Sequence, residues 1–206
     1  MNYQTVKLEN VILDWPKFDP EVGGKYEASF LIKKDSTQAE KLVKMFTDSL
    51  KNFRELSGKP KATWKYPPLI DGDKKNQQRE EDGKEAEEYL NGYYILKVGS
   101  KNKAGKPGPL FIDNLKNRVT DTSTVFYRGC KVNAIIAIAP TTELSVDTET
   151  GPQKMILCTR YLNAVQFAGH GESLGTTGGF SDLSAFDTIE DIGSPSGAEG
   201  DDDIPF

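Results

Sequence analysis

Histidine is the residue this chain has least of: His170 alone serves 206 residues. A histidine-built zinc site, or a Ser or Cys nucleophile activated by imidazole, therefore has nothing to be assembled from. Cysteine is nearly as scarce. Cys130 and Cys158 both lie in apolar, strand-like runs, where a buried free thiol is the expected state, and such thiols suit a reducing cytosol. Long hydrophobic runs are missing too: none approaches the ~20 residues of a membrane span, and no signal peptide opens the chain. Gly175 to Gly179 is followed by no Lys-Ser or Lys-Thr, so no phosphate-cradling loop is present, and there are no internal repeats. These absences argue against an enzyme and imply no cofactor and no metal.

Lysine and arginine are absent from Gly169 onward. Residues 169–206 are rich in Gly, Ser, Thr and carboxylates, with too little apolar surface to offset the entropy of ordering them, so a disordered acidic tail is expected behind a globular domain of residues 1–168. Nine of the 31 acids fall between Glu172 and Asp203, which leaves residues 1–168 with 26 bases against 22 acids. The sequence pI of about 5.1 thus hides a body of net charge +4 carrying an arm of −9. That asymmetry points to a polyanionic partner for the body.

Along the body, Tyr3 to Trp15 reads as a strand whose apolar parity switches near Glu9 and Asn10, the mark of a bulge or bend. After a Pro- and Gly-containing loop, Tyr26, Ala28, Phe30 and Ile32 alternate with polar residues as a half-buried strand. Thr37 with Glu40 forms a capping-box signature, and Ala39, Leu42, Val43, Phe46, Leu50 and Phe53 then recur at helical spacing until Ser57 and Gly58. Tyr93 to Val98, Gly129 to Ala139 and Met155 to Phe167 are further strands, the last two joined as a hairpin with its turn over Asp147 to Gly151.

Two stretches carry candidate chemistry. Trp64 and Tyr66 are interleaved with Lys59, Lys61 and Lys65, a pattern that suits single-stranded nucleic acid because bases stack on rings while phosphates pair with ammonium groups. The alternative is that the two rings fill the core beneath a loop. From Lys97 to Lys131 there are eight bases (Lys97, Lys101, Lys103, Lys106, Lys116, Arg118, Arg128 and Lys131) against two acids, with Phe111, Phe126 and Tyr127 among them. The candidate DNA-binding set is thus Lys59, Lys61, Trp64, Lys65, Tyr66, Lys97, Lys101, Lys103, Lys106, Phe111, Arg118, Tyr127 and Arg128. Lys74 to Glu88 is dense in charge but follows no metal-loop spacing, and reads as a solvated face or mobile insertion.

The chain ends Asp201, Asp202, Asp203, Ile204, Pro205, Phe206. Three carboxylates suit a basic groove and a Pro-stiffened aromatic suits a pocket, whereas a tail that only solvates gains nothing from a final ring. This end resembles the C-terminal tip of bacterial single-stranded DNA-binding proteins, which implies recruitment of host or phage replication and repair proteins. Tyr127-Arg128-Gly129-Cys130, followed by Leu162-Asn163-Ala164-Val165-Gln166-Phe167 and Gly171-Glu172-Ser173-Leu174-Gly175, is similar to a family of bacteriophage single-stranded DNA-binding proteins. That resemblance implies a mainly β oligonucleotide-binding (OB) fold: a five-stranded barrel, here with one helix after the second strand. It also implies a non-enzymatic protein of the bacterial host cytoplasm that coats strands exposed in replication or recombination, with little sequence preference. From the residues alone, short alternating strands with one capped helix suit a closed or partly closed barrel. A recombination mediator or interaction hub with weak DNA binding is the alternative.

Overall fold

The computed structural model describes residues 3–148 and 151–174, without side chains for 140–154; the expected acidic tip at Asp201 to Phe206 and most of the expected tail lie outside the described residues. Among the described residues there are eight strands: β1 (Gln4–Lys17), β2 (Lys25–Lys33), β3 (Thr63–Trp64), β4 (Ile70–Asp71), β5 (Tyr93–Lys101), β6 (Leu110–Ile112), β7 (Lys131–Thr148) and β8 (Gly151–Gly169). Two α-helices join them, α1 (Thr37–Ser57) after β2 and α2 (Gly72–Glu81) after β4. The sheet runs β3-β8-β7-β1-β2-β5-β4, with β6 on β8.

The parity switch in β1 has a clear cause. Its register against β7 shifts between Leu8 and Val11, Asn10 takes φ 52°, and the Asn10 amide donates to Asn133 Oδ1 at 2.9 Å instead of to a ladder carbonyl. The bulge lets Leu8 and Val11, on opposite parities, both enter the core. That core gathers Leu13, Phe30, Leu96, Ile136 and Leu162 from the strands, and Ala39, Leu42 and Phe46 from α1. The helix cap is Ser36, one residue before the expected Thr37; its side chain accepts from the Ala39 amide at 3.2 Å. Gly58 ends the helix at φ 64°.

Lys74 to Glu88 is not a free insertion. Asp71 caps α2 by accepting from the Asp73 and Lys74 amides, and Asn76, nearly buried, bonds to the Glu87 backbone and to Asn91 Oδ1. Just after it, Leu90 joins Leu31 and Ile95 in a second, smaller apolar cluster.

Beyond residue 168 the chain is still packed. Tyr127 Oη meets the Gly171 carbonyl at 3.2 Å and the Gly171 amide at 3.1 Å, and the Leu174 amide donates to the Arg128 carbonyl. The compact unit ends at Leu174, six residues past the expected boundary. The crossing is tight: a Cβ on Gly129, at φ 106°, would lie 1.9 Å from the Glu172 carbonyl oxygen, and one on Gly171 would lie 2.2 Å from that of Gly129. Gly129→Ala should therefore cost at least about 2 kcal/mol through both the φ and the backbone collision, seen as a lower melting temperature. An unchanged melting temperature would mean that residues 169–174 do not hold this path.

Candidate nucleic-acid interface

The two long strands at either end of the curl, β5 and β8, face each other without a backbone ladder. Both run in the same direction, since each is separated from β1 by one antiparallel neighbour. Ser100 bridges them, its hydroxyl donating to the Leu162 carbonyl at 2.9 Å. The other neighbours of β8 on this edge are β3, parallel at Met155 and Ile156, and β6, parallel at Ala164 to Gln166. Between those two short strands lies an open seam.

Three adjoining hollows follow it. One of about 340 Å3 is bounded by Lys97 to Lys101 on β5 and Leu157 to Tyr161 on β8, with Lys25 and Glu27 at its side. It shares Ser100, Lys101 and Tyr161 with a second of about 340 Å3 that reaches Pro107 to Pro109 and Asn163. It shares Glu27, Lys97 and Val98 with a third of about 500 Å3, which ends at Asp14, Trp15, Pro16, Lys17 and Lys75. The alternation of β5 buries Leu96 and Val98 and turns Lys97 and Lys101 outward, while Gly99 between them raises no side chain from the floor. Glu27 is the one exposed carboxylate along this trough; Asp14, also at its edge, is buried in an ion pair.

Lys97 and Lys101 are thus brought together on the trough, with Lys103 and Lys106 exposed in the loop leading to its Pro107 end. Lys65 and Tyr66 run beside β8: the Lys65 amide donates to the Ile156 carbonyl, Lys65 Nζ lies 5.4 Å from the Tyr66 ring centroid, and Tyr66 is 58% exposed. Arg160 reaches from β8 to the Pro68 carbonyl at 2.8 Å, tying that segment to the seam. Lys59 and Lys61 lie farther back, between α1 and β3, and Arg118 is exposed in the loop after β6.

Four expected contacts have other partners. Phe111 is only 7% exposed and its ring packs against Phe18 at 4.6 Å and Phe126 at 5.9 Å, so it offers no face to a base. Phe111→Ala should cost about 3 to 5 kcal/mol of stability, read from denaturant unfolding, while DNA affinity per folded molecule holds. Trp64 is half-buried against the core, edge-on to Phe46 at 6.4 Å. Tyr127 anchors Gly171 and stacks on His170. Arg128 forms an ion pair with Asp14 at 2.5 Å and donates to Tyr89 Oη at 2.6 Å. Each looked available in sequence because it sits in a basic window, but charge density along the chain does not report which way a side chain points.

Trp15, Lys17, Lys25, Arg160 and Tyr161 also line the trough although the sequence does not single them out, and Arg160 is committed to the Pro68 carbonyl. Trp15 is 58% exposed, and Tyr161, edge-on to Tyr3 at 5.7 Å, is 37% exposed. Alternation over Ile156 to Leu162 in β8 places Tyr161 opposite in parity to buried Ile156, Cys158 and Leu162, a signal present in the sequence. Burial pushes the Cys158 thiol up to about 11 and raises that of Cys130, so both stay protonated and inert. Among the described residues there is no cluster of metal-ligating side chains and no helix long and apolar enough to cross a membrane.

The single-stranded DNA-binding protein from bacteriophage Enc34 is structurally similar at 16% identity, with 88% of this chain and 90% of that one covered and a TM-score of 0.52. Its structure in complex with ssDNA aligns at 19% identity over 83% of this chain and 89% of that one, with a TM-score of 0.50. At such identities the likeness is one of fold. No curated protein matches the chain. The family model described as the ssDNA-binding protein of Enterobacter phage Enc34 matches residues 5–194, nearly the whole sequence, and the chain belongs to that family.

Proposed function

We propose that this protein binds single-stranded DNA along the β5–β8 seam, with little sequence preference, and so protects strands exposed during phage replication or recombination. The observation that carries the reading is the trough itself: an open, elongated hollow with outward lysines, exposed rings at Trp15 and Tyr161, and a glycine floor. Lysines pair with phosphates whatever the sequence, and every base has a face to stack. Membership of a family described by ssDNA binding supports it, and binding is a non-enzymatic role.

In this reading β1, β2, β5, β7 and β8 form an OB-type barrel, with the seam where β5 and β8 meet and α1, which lies between β2 and β3 in the chain, packed on the core. The DNA-contacting set is Lys65, Tyr66, Lys97, Lys101, Lys103 and Lys106 from the sequence reading, joined by Trp15, Lys17, Lys25 and Tyr161. Lys59, Lys61 and Arg118 are peripheral, and Trp64, Phe111 and Tyr127 leave the set for the core and its anchors.

Titration of fluorescent oligonucleotides of graded length, single strands beside duplexes, tests this. Affinity should rise with length to a plateau, favour single strands, and fall with log salt at a slope of roughly −0.7 per phosphate contact. A slope near zero, or a preference for duplex, would overturn the reading.

A further inference from the structure

Trp15 has a backbone that a tryptophan rarely adopts. Its φ is 48°, in the left-handed region, at a shift in register between β1 and β2 that falls between Asp14 and Lys17. For a bulky residue such a conformation costs on the order of 1 to 3 kcal/mol and persists only where the surroundings impose it. Here they do. The Arg128 guanidinium lies over the Trp15 ring, 4.3 Å from its centroid, and 5.1 Å from the ring centroid of Tyr89. Asp14, 3% exposed, holds its Nε, and Tyr89 Oη accepts from its Nη2.

The ion pair beneath this stack is largely desolvated. Burial raises the Asp14 carboxyl above its ordinary value although Arg128 is bonded to it, so desolvation outweighs the partner. The sign follows: a carboxyl that holds its proton more tightly when folded favours folding below its unfolded value, and that contribution is lost as pH rises through the folded one. Although burial opposes it, the bond to Asp14 raises Arg128 above its ordinary value, and this group of side chains holds the strained Trp15 with its ring exposed. Trp15, with Arg128 against its ring, is 58% exposed and lines the trough together with Lys17 and Lys97. A cation already layered on one face disfavours a second on the other, which selects a neutral ring over a cationic ligand.

Resting on the reading that the trough binds single strands, we infer that Trp15 is a stacking platform for one unpaired nucleobase, and that Arg128 is a positioning residue for that platform and not a phosphate contact. The neighbouring Lys17 and Lys97 take the flanking phosphates.

The test uses full-length protein, labelled oligo(dT), and an abasic deoxyribose-phosphate chain of equal length. Anisotropy reports binding and tryptophan emission reports stacking. Oligo(dT) should quench the emission, the abasic chain should bind more weakly without quenching, and Trp15→Phe should keep most of the affinity while losing the quench. Trp15→Gly, which removes ring and strain together, should weaken binding roughly 5- to 150-fold, the range for one stacked base, with no fall in melting temperature. Arg128→Gln, checked for an intact fold by its melting curve, should weaken binding with the salt slope unchanged, whereas loss of a phosphate contact would flatten it by about 0.7. Binding without quenching, or quenching that survives in Trp15→Phe, overturns the platform and leaves the trough reading intact. A flattened slope for Arg128→Gln overturns its positioning role. Absence of oligo(dT) binding in the anisotropy overturns both readings.

Discussion

Replacing Lys97 and Lys101 together with Glu should weaken single-strand binding by roughly 60-fold at ~50 mM salt and by only about tenfold at ~200 mM. The figures come from the counterions each contact releases: a slope of about 0.7 per phosphate is worth about 1.2 kcal/mol at the lower salt and about 0.7 kcal/mol at the higher. Repulsion from the new carboxylates adds to both. The two lysines project from β5 on either side of Gly99, so both ammonium groups stand over the same stretch of floor. Both are exposed, which makes their folding cost small. Lys44 and Lys51 supply the control. They lie on the outer face of α1, paired at i,i+4 with Asp48 and Glu55, and they line none of the three hollows. The same double reversal there changes net charge identically and should shift affinity by less than about threefold. Equal losses from the two pairs would mean that DNA senses only the overall charge, and the trough would lose its standing as the site.

What was legible in the sequence followed from period and from apolar surface. The switch in β1 parity marked the bulge at Asn10, because a strand that must bury both Leu8 and Val11 has no other way to do so. The stripe from Ala39 to Phe53 marked α1, with its cap off by one residue because Ser36 and Thr37 both have capping side chains. Helix α2 was illegible for the complementary reason: it has no apolar face, and its buried residues are Gly72 and Asn76. A Cβ on Gly72 would sit 2.1 Å from the Leu90 carbonyl oxygen, so the helix docks through the absence of a side chain and through one amide network. Neither leaves a trace in hydrophobic periodicity. The proposed site is half legible. Charge density singles out Lys97 and Lys101, which line the trough, but the exposed Trp15 takes a φ that no propensity assigns to tryptophan. Phe111 was misread in the opposite sense, since a ring among lysines in sequence is here a ring among Phe18 and Phe126 in space.

Deleting residues 176–206 should tighten single-strand binding, on the order of tenfold at ~20 mM salt and less than twofold at ~200 mM. The segment carries eight carboxylates, from Asp182 to Asp203, and no Lys or Arg, and it is covalently joined to a body in which bases outnumber acids. A tethered polyanion is present at high effective concentration wherever the basic trough is empty, so it competes with DNA without needing a defined contact. The cut must fall after Leu174. Residues 170–174 hold Tyr127 and the Arg128 carbonyl, and removing them would open the crossing at Gly129 and confuse loss of stability with gain of affinity. Removing Phe206 alone separates the two roles proposed for the tail. All eight charges remain, so DNA affinity should stay within about twofold of the intact chain at either salt. Docking of a replication or repair protein through the Ile204-Pro205-Phe206 end, if the final ring fills a pocket, should fall by tenfold or more. Equal DNA affinity for the intact and shortened chains at ~20 mM salt would remove the competition, and partner docking indifferent to Phe206 would remove the hook.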